Sequence, residues 1–383
     1  MNKRLLFVVN APWFFVSHRL PIALKAKSLG YDVHVATSSG EDIAKIESYG
    51  IMVHKIPFAR SSVSPLNEIK TIVLLYRLLI NIKPDIVHNI TIKPVLYGSF
   101  VSKIVKTPCV VNAISGLGYV FLATGIVAKI RQLLVIFAYR FVFHNNNTKV
   151  IFQNPDDKKC FLDFKILKES QIELIRGSGV ELSDFQNRNE SNGTITVVMA
   201  SRMLWDKGVG EFVEAARLLK KQGVVANFKL VGDIDLGNPK AINKEEIIAW
   251  CTEGVVEWIG FTKNIAEVFS KSHIVCLPSY REGLPKVLVD ASAAGRAIVT
   301  TDVPGCRHAI EKNVTGLLVP VRDASALAEA VKCLILDRDL RKKMGEAGRI
   351  LAEREYDIQK IIDKHLRIYA KCSGKNYASA IAE

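Results

Sequence analysis

Short apolar runs rich in valine and isoleucine alternate with segments of helical periodicity along the whole chain. The runs in the first half are predicted strands: Leu5–Val9, Val33–Ala36, Met52–Ile56, Ile86–His88, Cys109–Asn112 and Val150–Phe152. Those in the second half are Ile195–Ala200, Phe228–Val231, Val256–Ile259, Ile274–Leu277, Ala297–Thr300 and Leu317–Val319. Apolar runs separated by helices are typical of parallel strands buried on both faces. The pattern therefore predicts an α/β protein with two successive open parallel sheets.

Helical patterns fill the segments between the strands, notably Ser17–Leu29, Leu66–Ile82 and Lys93–Lys106. The polar, aperiodic stretch Ser183–Thr194 is the predicted seam, which divides the chain into domains of residues 1–188 and 189–383. No strand is predicted between the helices after Ala324, so these helices should pack outside the second sheet. The last one, near Tyr356–Lys371, is expected to cross back to the first domain.

The segment Gly125–His144 is long, apolar and exclusively basic in its charges, which are Lys129, Arg131 and Arg140. A cation in the middle of a membrane span costs several kcal/mol, so these charges argue against a span. Two interpretations stay open. The segment is either a buried helix with snorkelling basic ends or a surface helix that dips into the headgroup layer of a membrane.

Positive charge is concentrated in the first half. The formal net charge is +14, and residues 1–155 hold 18 Lys and Arg against 6 Asp and Glu, a balance of +12. No acidic residue occurs from Ile86 to Pro155. This bias indicates an anionic partner, such as phosphate, acidic lipid or nucleic acid, unless it is only a solubilising basic face.

Neither export nor a metal site is indicated. The N-terminal apolar run, Met1–Val9, is too short for a signal peptide and no small-residue cleavage site follows it. The cysteines are widely spaced and odd in number: Cys109, Cys160, Cys251, Cys276, Cys306, Cys333 and Cys372. Without a Cys-x-x-Cys pair, they predict neither a zinc site nor a disulfide framework, and a reducing cytosol fits best.

Ligands of open α/β sheets bind beyond the carboxyl ends of the strands. The first polar cluster there is Ala200–Gly208, which leads from a strand into the predicted helix Val209–Lys220. Arg202 and Lys207 would meet near this helix N-terminus, where the free N–H groups already favour anions. Such a pair of cations suits a diphosphate, the alternative being two solvated surface charges.

The second cluster, Leu277–Asp290, carries two carboxylates. Glu282 follows a strand directly, Gly283 permits a close approach of backbone and ligand, and Asp290 lies further along the next helix. Carboxylates without metal ligands nearby suit the hydroxyls of a sugar, the alternative being helix capping and surface charge. The third cluster, Thr301–Cys306, is a strand-to-helix turn at the same edge.

The segments SRMLWDKG, LPSYREGLPKVLVD and VTTDVPGC, with VEWIG between them, resemble the retaining glycosyltransferases of family 4. The resemblance covers essentially the whole chain. It implies the GT-B fold, in which two Rossmann-like domains face each other across a cleft. It also implies that Arg202 and Lys207 hold the donor diphosphate and that Glu282 contacts the transferred sugar.

The same resemblance implies further donor contacts from Gly260 and from the backbone amides of Gly283 and Leu284. The chain departs from the family at its second acid, where Asp290 replaces a glutamate that holds the ribose hydroxyls. The loss of one methylene shortens the reach by about 1.5 Å.

The first half resembles the family more loosely. The stretch Asn10–Arg19 replaces the usual Gly-Gly turn, and Ala113–Gly118 replaces a segment that often carries a histidine. Together with Phe58–Ser61, these features resemble enzymes that extend undecaprenyl-diphosphate-linked sugars, in particular N-acetylgalactosaminyltransferases of protein-glycosylation and O-antigen pathways. The implied acceptor-side residues are Arg19, Ser115, Gly116 and Gly118.

The implied reaction transfers a hexosamine from a UDP-sugar to a lipid-linked saccharide with retention of configuration. Cationic side chains and helix N-termini would replace a metal ion, and no cofactor beyond the donor is expected. His18 and His88 follow strands and would assist proton transfer, although a lone histidine is more often structural. The expected partners are nucleotide sugar, undecaprenyl-diphosphate saccharide and an anionic membrane, which puts the enzyme peripherally on the cytoplasmic face of the inner membrane.

Three alternatives weigh less. A nucleotide-sugar epimerase on the same fold is disfavoured by the transferase form of the Glu282 cluster. A dehydrogenase lacks its glycine fingerprint, because Ser115–Gly118 has no third glycine. A non-catalytic binder of anionic lipid or nucleic acid would explain the charge and leave the second domain without a role, and no aromatic-basic motif for nucleic acid is present.

Overall fold

The computed structural model describes residues 3–58, 64–117, 125–144, 147–186, 190 and 192–372. These residues form two compact units. The first is drawn from Met1–Ser178 and Gln359–Glu383, and the second is Gly179–Ile358.

The first unit is built on a sheet of seven parallel strands in the order β3-β2-β1-β4-β5-β6-β7. The strands are β1 Arg4–Val9, β2 Asp32–Thr37, β3 Met52–Lys55, β4 Ile86–Ile90, β5 Cys109–Ile114, β6 Thr148–Phe152 and β7 Ile172–Leu174. The connecting helices are α1 Pro12–His18, α2 Leu20–Ser28, α3 Ile43–Ser48, α4 Pro65–Ile82, α5 Ile92–Ile104, α6 Ile126–Phe143 and α7 Pro155–Asp163. The central strands β4 and β5 are buried along their whole length, including their polar residues His88, Asn89 and Asn112.

The second unit has six parallel strands in the order β10-β9-β8-β11-β12-β13. They are β8 Thr196–Ala200, β9 Asn227–Val231, β10 Glu257–Gly260, β11 Ile274–Leu277, β12 Ala297–Thr301 and β13 Gly316–Val319. The helices are α8 Val209–Lys221, α9 Lys244–Thr252, α10 Ile265–Ser270, α11 Lys286–Ala293, α12 Cys306–Ala309, α13 Ala324–Leu336 and α14 Arg338–Leu351. The strand order reverses between β8 and β11, where ligands of doubly wound sheets bind.

The last helix, α15 (Ile358–Cys372), belongs to the first unit from Gln359 onward. It lies against β4, since the hydroxyl of Tyr369 is 2.6 Å from Nδ1 of His88. The predicted α/β class with two parallel sheets is confirmed, and so is the crossing of the last helix to the first sheet.

The boundary between the units differs from the predicted one at residues 188 and 189. The chain joins the second unit at Gly179 because Val180 and Phe185 are buried in its core. The amide of Val180 also donates to the carbonyl of Tyr356 at 2.8 Å. The predicted second domain ran to residue 383, whereas α15 groups with the first unit from Gln359 onward, as the expected crossing of this helix implies.

Two further findings concern the first unit. A disulfide joins Cys109 at the start of β5 to Cys372 at the end of α15, with Cα atoms 5.6 Å apart. The sequence predicted no disulfide, because two cysteines separated by 263 residues form no recognisable motif. The second finding concerns α6: like every other helix in the described ranges, it lacks the combination of length and apolarity that a membrane crossing requires.

Candidate active site

The loop between β8 and α8 carries the first predicted cluster. A short helical turn, Trp205–Lys207, ends at Gly208, which has φ of 79° and caps α8. A Cβ atom at Gly208 would collide with the carbonyl oxygen of Pro278, so this loop and the one after β11 touch through their backbones. Lys207 is thereby held directly before the N-terminus of α8.

The loop between β11 and α11 brings Glu282 to Lys207. The Nζ atom of Lys207 lies 2.5 Å from Oε1 of Glu282, and the hydroxyl of Ser279 donates to the same oxygen at 2.8 Å. The side chains of Lys207 and Glu282 are only 18% and 14% exposed. A lysine and a carboxylate that the sequence placed 75 residues apart thus form one partly buried pair.

The third cluster supports the same loop from the other side. Gly305 has φ of 85°, and a Cβ atom there would collide with the carbonyl of Glu282. The amide of Glu282 donates to the carbonyl of Pro304 at 3.2 Å. The backbone at Glu282 and Gly283 is therefore fixed by both neighbouring loops, and Leu284 is buried behind it.

Arg202 lies on the same loop as Lys207 and pairs with a different carboxylate. Its Nη1 atom is 2.5 Å from Oδ2 of Asp235, and its side chain is 44% exposed. Sequence reasoning missed Asp235, although its position shortly after β9 was a usable signal. Gly260 ends the adjacent strand β10, and its carbonyl accepts a hydrogen bond from the amide of Gly232 at 2.8 Å.

Asp290 lies on α11 with its carboxylate almost fully buried. The Nζ atom of Lys286, one turn earlier in α11, forms an ion pair with Oδ1 of Asp290 at 2.6 Å. Burial raises the pKa of Asp290, an effect that Lys286 opposes. The predicted ribose contact of Asp290 stays a prediction.

The acceptor-side residues lie in the first unit. The ring of His18 stacks on Phe14 with centroids 4.1 Å apart, and its Nδ1 is 2.5 Å from the hydroxyl of Ser17. Ser115 and Gly116 directly follow β5, while Gly118 lies outside the described residues. The Ser115 hydroxyl is buried and has no hydrogen-bond partner among the described residues.

His88 and Arg19 belong to a buried cluster and do not lie at an accessible strand end. His88 is fully buried, and burial, with His365 and Arg19 nearby, holds its pKa well below the usual value. Arg19 is buried as well, which lowers its pKa to about 10, and its Nη1 donates to the carbonyl of His18 at 2.9 Å. The assisting role predicted for His88 is not supported, because its imidazole faces Tyr369 and not solvent.

The described residues contain no cluster of three or more His, Cys, Asp or Glu side chains arranged to hold a metal ion. The groups assembled at the edge of the second sheet are cations, carboxylates, a hydroxyl and helix N-termini. Such groups can bind an anionic leaving group and the hydroxyls of a sugar.

Comparison with known proteins gives the same assignment for both halves. Residues 181–351 match the family described as "Glycosyl transferases group 1", and residues 4–154 match "Glycosyl transferase 4-like". An N,N'-diacetylbacillosaminyl-diphospho-undecaprenol alpha-1,3-N-acetylgalactosaminyltransferase of Campylobacter jejuni is 29% identical over 96% of this chain and 98% of its own. A UDP-Gal:alpha-D-GlcNAc-diphosphoundecaprenol alpha-1,3-galactosyltransferase of Escherichia coli is 21% identical over 88% and 89%.

Solved structures share the fold. A glycosyltransferase from Rickettsia africae superposes with a TM-score of 0.76 at 21% identity, covering 98% of this chain and 100% of its own. The Anabaena protein HepE, solved in complex with UDP and glucose, has a TM-score of 0.77 at 16% identity, covering 96% and 100%.

Proposed function

This chain belongs to the group 1, family 4-like glycosyltransferases, and we propose that it transfers an N-acetylhexosamine from a UDP-sugar to an undecaprenyl-diphosphate-linked saccharide. The N-acetylhexosamine that we propose is N-acetylgalactosamine. Two relatives that align over most of the chain act, by their names, on diphosphoundecaprenol-linked sugars and form α-1,3 linkages. The name of one of them specifies N-acetylgalactosamine as the transferred sugar.

The Lys207–Glu282 pair carries the proposal. An incoming donor diphosphate would draw Lys207 away from Glu282, and Glu282 would then accept hydrogen bonds from the sugar. Ser279 keeps one carboxylate oxygen in place during this exchange, because it donates to Oε1 independently of Lys207. The site is thus preorganised to bind phosphate and sugar at adjacent points.

The proposed transfer retains the anomeric configuration and needs no metal ion. The acceptor hydroxyl attacks C1 on the face that the diphosphate leaves. The new C1–O bond forms as the C1–O bond to phosphate breaks, and a phosphate oxygen takes the acceptor proton. Lys207, Arg202 and the N-terminus of α8 stabilise the negative charge on the departing UDP.

The proposed acceptor requires access to a membrane surface, and we assign α6 to that contact. Its large exposed apolar side chains are Ile126, Ile130, Leu133, Leu134, Phe137 and Phe141. The cations Lys129, Arg131 and Arg140 lie on the same helix, and neighbouring residues from Ile86 to Pro155 include no acid. Apolar exposure combined with one sign of charge suits an anionic headgroup layer, on the cytoplasmic face of the inner membrane.

The test of the sugar-binding role is Glu282→Gln. Turnover should fall at least ~10²-fold while the affinity for free UDP stays near that of the unmodified protein, because the carboxylate contacts the sugar and not the nucleotide. Turnover of the unmodified enzyme should persist in excess chelator. A parallel loss of UDP affinity would contradict the role given to Glu282, and loss of activity in chelator would contradict metal independence.

The membrane contact is tested by sedimentation with liposomes. Replacing Lys129, Arg131 and Arg140 by Glu should weaken binding to anionic vesicles and leave UDP binding intact, since each basic residue near the surface contributes about 1 kcal/mol. A control with the same change of charge replaces three exposed lysines of the second unit, Lys221, Lys244 and Lys343, by Glu. Equal binding of the unmodified protein to neutral and anionic vesicles would refute the electrostatic contact.

A further inference from the structure

Tyr280 connects three loops of the second unit. Its hydroxyl donates to Oε1 of Glu211, in the first turn of α8, at 2.6 Å. The guanidinium of Arg322, in the turn between β13 and α13, lies 4.7 Å from the centre of its ring. The amide of Tyr280 also donates to the carbonyl of Asp206 at 2.9 Å.

Two contacts of Tyr280 involve unfavourable features, one in the backbone of Arg322 and one at the carboxylate of Glu211. Arg322 has φ of 61°, a left-handed conformation that is unfavourable for a residue with a side chain and that tends to occur at functional sites. The second carboxylate oxygen of Glu211, Oε2, is buried and has no partner among the described residues. Glu211 thus gives up hydration and receives in return the hydrogen bond from Tyr280.

The position of this contact relates it to the donor site. Tyr280 is two residues before Glu282, and Glu211 is four residues after Lys207. The Tyr280–Glu211 bond therefore joins the Glu282 loop to the first turn of α8, which directly follows the Lys207 loop. It can keep them together when the donor separates Lys207 from Glu282.

We propose that Tyr280 and Glu211 are positioning residues that hold the Lys207 loop and the Glu282 loop in the geometry required for transfer, a role that rests on the proposed function. Neither side chain forms a hydrogen bond or an ion pair with Lys207 or Glu282 among the described residues. Burial, together with Glu211, raises the pKa of Tyr280 to about 12, so the hydroxyl remains a donor over the working pH range.

The experiment compares kcat with UDP affinity in Tyr280→Phe. The ring and its contact with Arg322 remain while the hydrogen bond is lost, so kcat should fall about 10- to 100-fold through misplacement of the reacting groups. The dissociation constant of UDP should change less than about 2-fold. Glu211→Ala should reproduce this effect and the double variant should add nothing to it, whereas Glu211→Gln, which keeps an acceptor, should recover most of kcat.

A matched control exists in the first unit, where the hydroxyl of Tyr97 donates to Oε2 of Glu68 at 2.7 Å. Tyr97→Phe removes the same kind of bond and should leave kcat unchanged. The proposal is overturned if Tyr280→Phe and Glu211→Ala lower only the unfolding temperature, or if their effects on kcat simply add. An unmodified protein that binds no nucleotide and transfers no sugar would instead refute the proposed function.

Discussion

The Lys207–Glu282 pair allows the roles of one interaction in stability and in turnover to be separated. The two charges lie 2.5 Å apart with side chains 18% and 14% exposed. At an effective dielectric constant of about 20 their attraction is about 7 kcal/mol, most of which is offset by the cost of removing both ions from water. Removing only one partner leaves the other charge partly buried and unpaired, which costs about 3 kcal/mol at this degree of burial.

Lys207→Met should therefore lower the unfolding temperature of the ligand-free protein by about 5–10 °C. It should also lower kcat by about 10²- to 10³-fold, because the group that stabilises the leaving diphosphate is gone. Adding Glu282→Gln removes the unpaired charge, so the double variant should regain most of the lost unfolding temperature and none of the turnover.

Calorimetry and initial-rate assays on the single and double variants test both claims. Lys271→Met is the matched control, since its ion pair with Glu267 at 2.7 Å has side chains 75% and 56% exposed and should contribute less than about 1 kcal/mol. A double variant as unstable as Lys207→Met would refute the argument from an unpaired charge. Near-normal turnover in Lys207→Met would refute the assignment to the diphosphate.

Three shorter predictions follow from other parts of the structure. Arg202→Ala should lower turnover at least ~10²-fold, because one of the two cations assigned to the donor diphosphate is lost; an unchanged rate in transfer assays would contradict this. Burial, together with the charge of Arg19, lowers the pKa of His365 to about 3. In the unfolded chain the imidazole has a pKa of about 6.5, so the contribution of His365 to stability is present above that pH. As the pH falls below about 6.5, the unfolding free energy decreases by about 1.4 kcal/mol per pH unit. His365→Gln should reduce that slope in urea titrations between pH 7.5 and 5.5, and an unaltered slope would be the contrary result. Reduction of Cys109–Cys372, or Cys372→Ser, should lower the unfolding free energy by up to about 5 kcal/mol, and equal unfolding curves with and without reductant would contradict this.

The apolar runs predicted twelve of the strands, because most of these strands are buried and rich in valine and isoleucine. They missed β7 (Ile172–Leu174), a three-residue edge strand that is half exposed and carries a glutamate. The positions of Lys207 and Glu282 directly after strands predicted that both residues lie at one edge of the sheet. The motifs gave no partner for Arg202, because Asp235 lies outside them and only its position shortly after β9 indicates the same edge of the sheet.

Contacts between distant segments were the hardest to predict. The position of His88 after a run of apolar residues fits an accessible strand end as well as a buried site, and only the arrival of Tyr369 from α15 decides between them. The Cys109–Cys372 bond has the same origin, because both of its partners depend on where α15 lies.

The return of α15 to the first sheet also bears on how the protein is made. The second unit is one continuous segment, Gly179–Ile358, whereas the first lacks residues 359–372 until the whole second unit has been synthesised. On the ribosome the later-encoded unit is thus the first to have its full set of residues, and the earlier one waits with His88 and Arg19 uncovered. A fragment that ends at Ser178 should for this reason be prone to aggregation, and expression of the first unit alone requires that α15 be joined to it by a linker or supplied as a peptide.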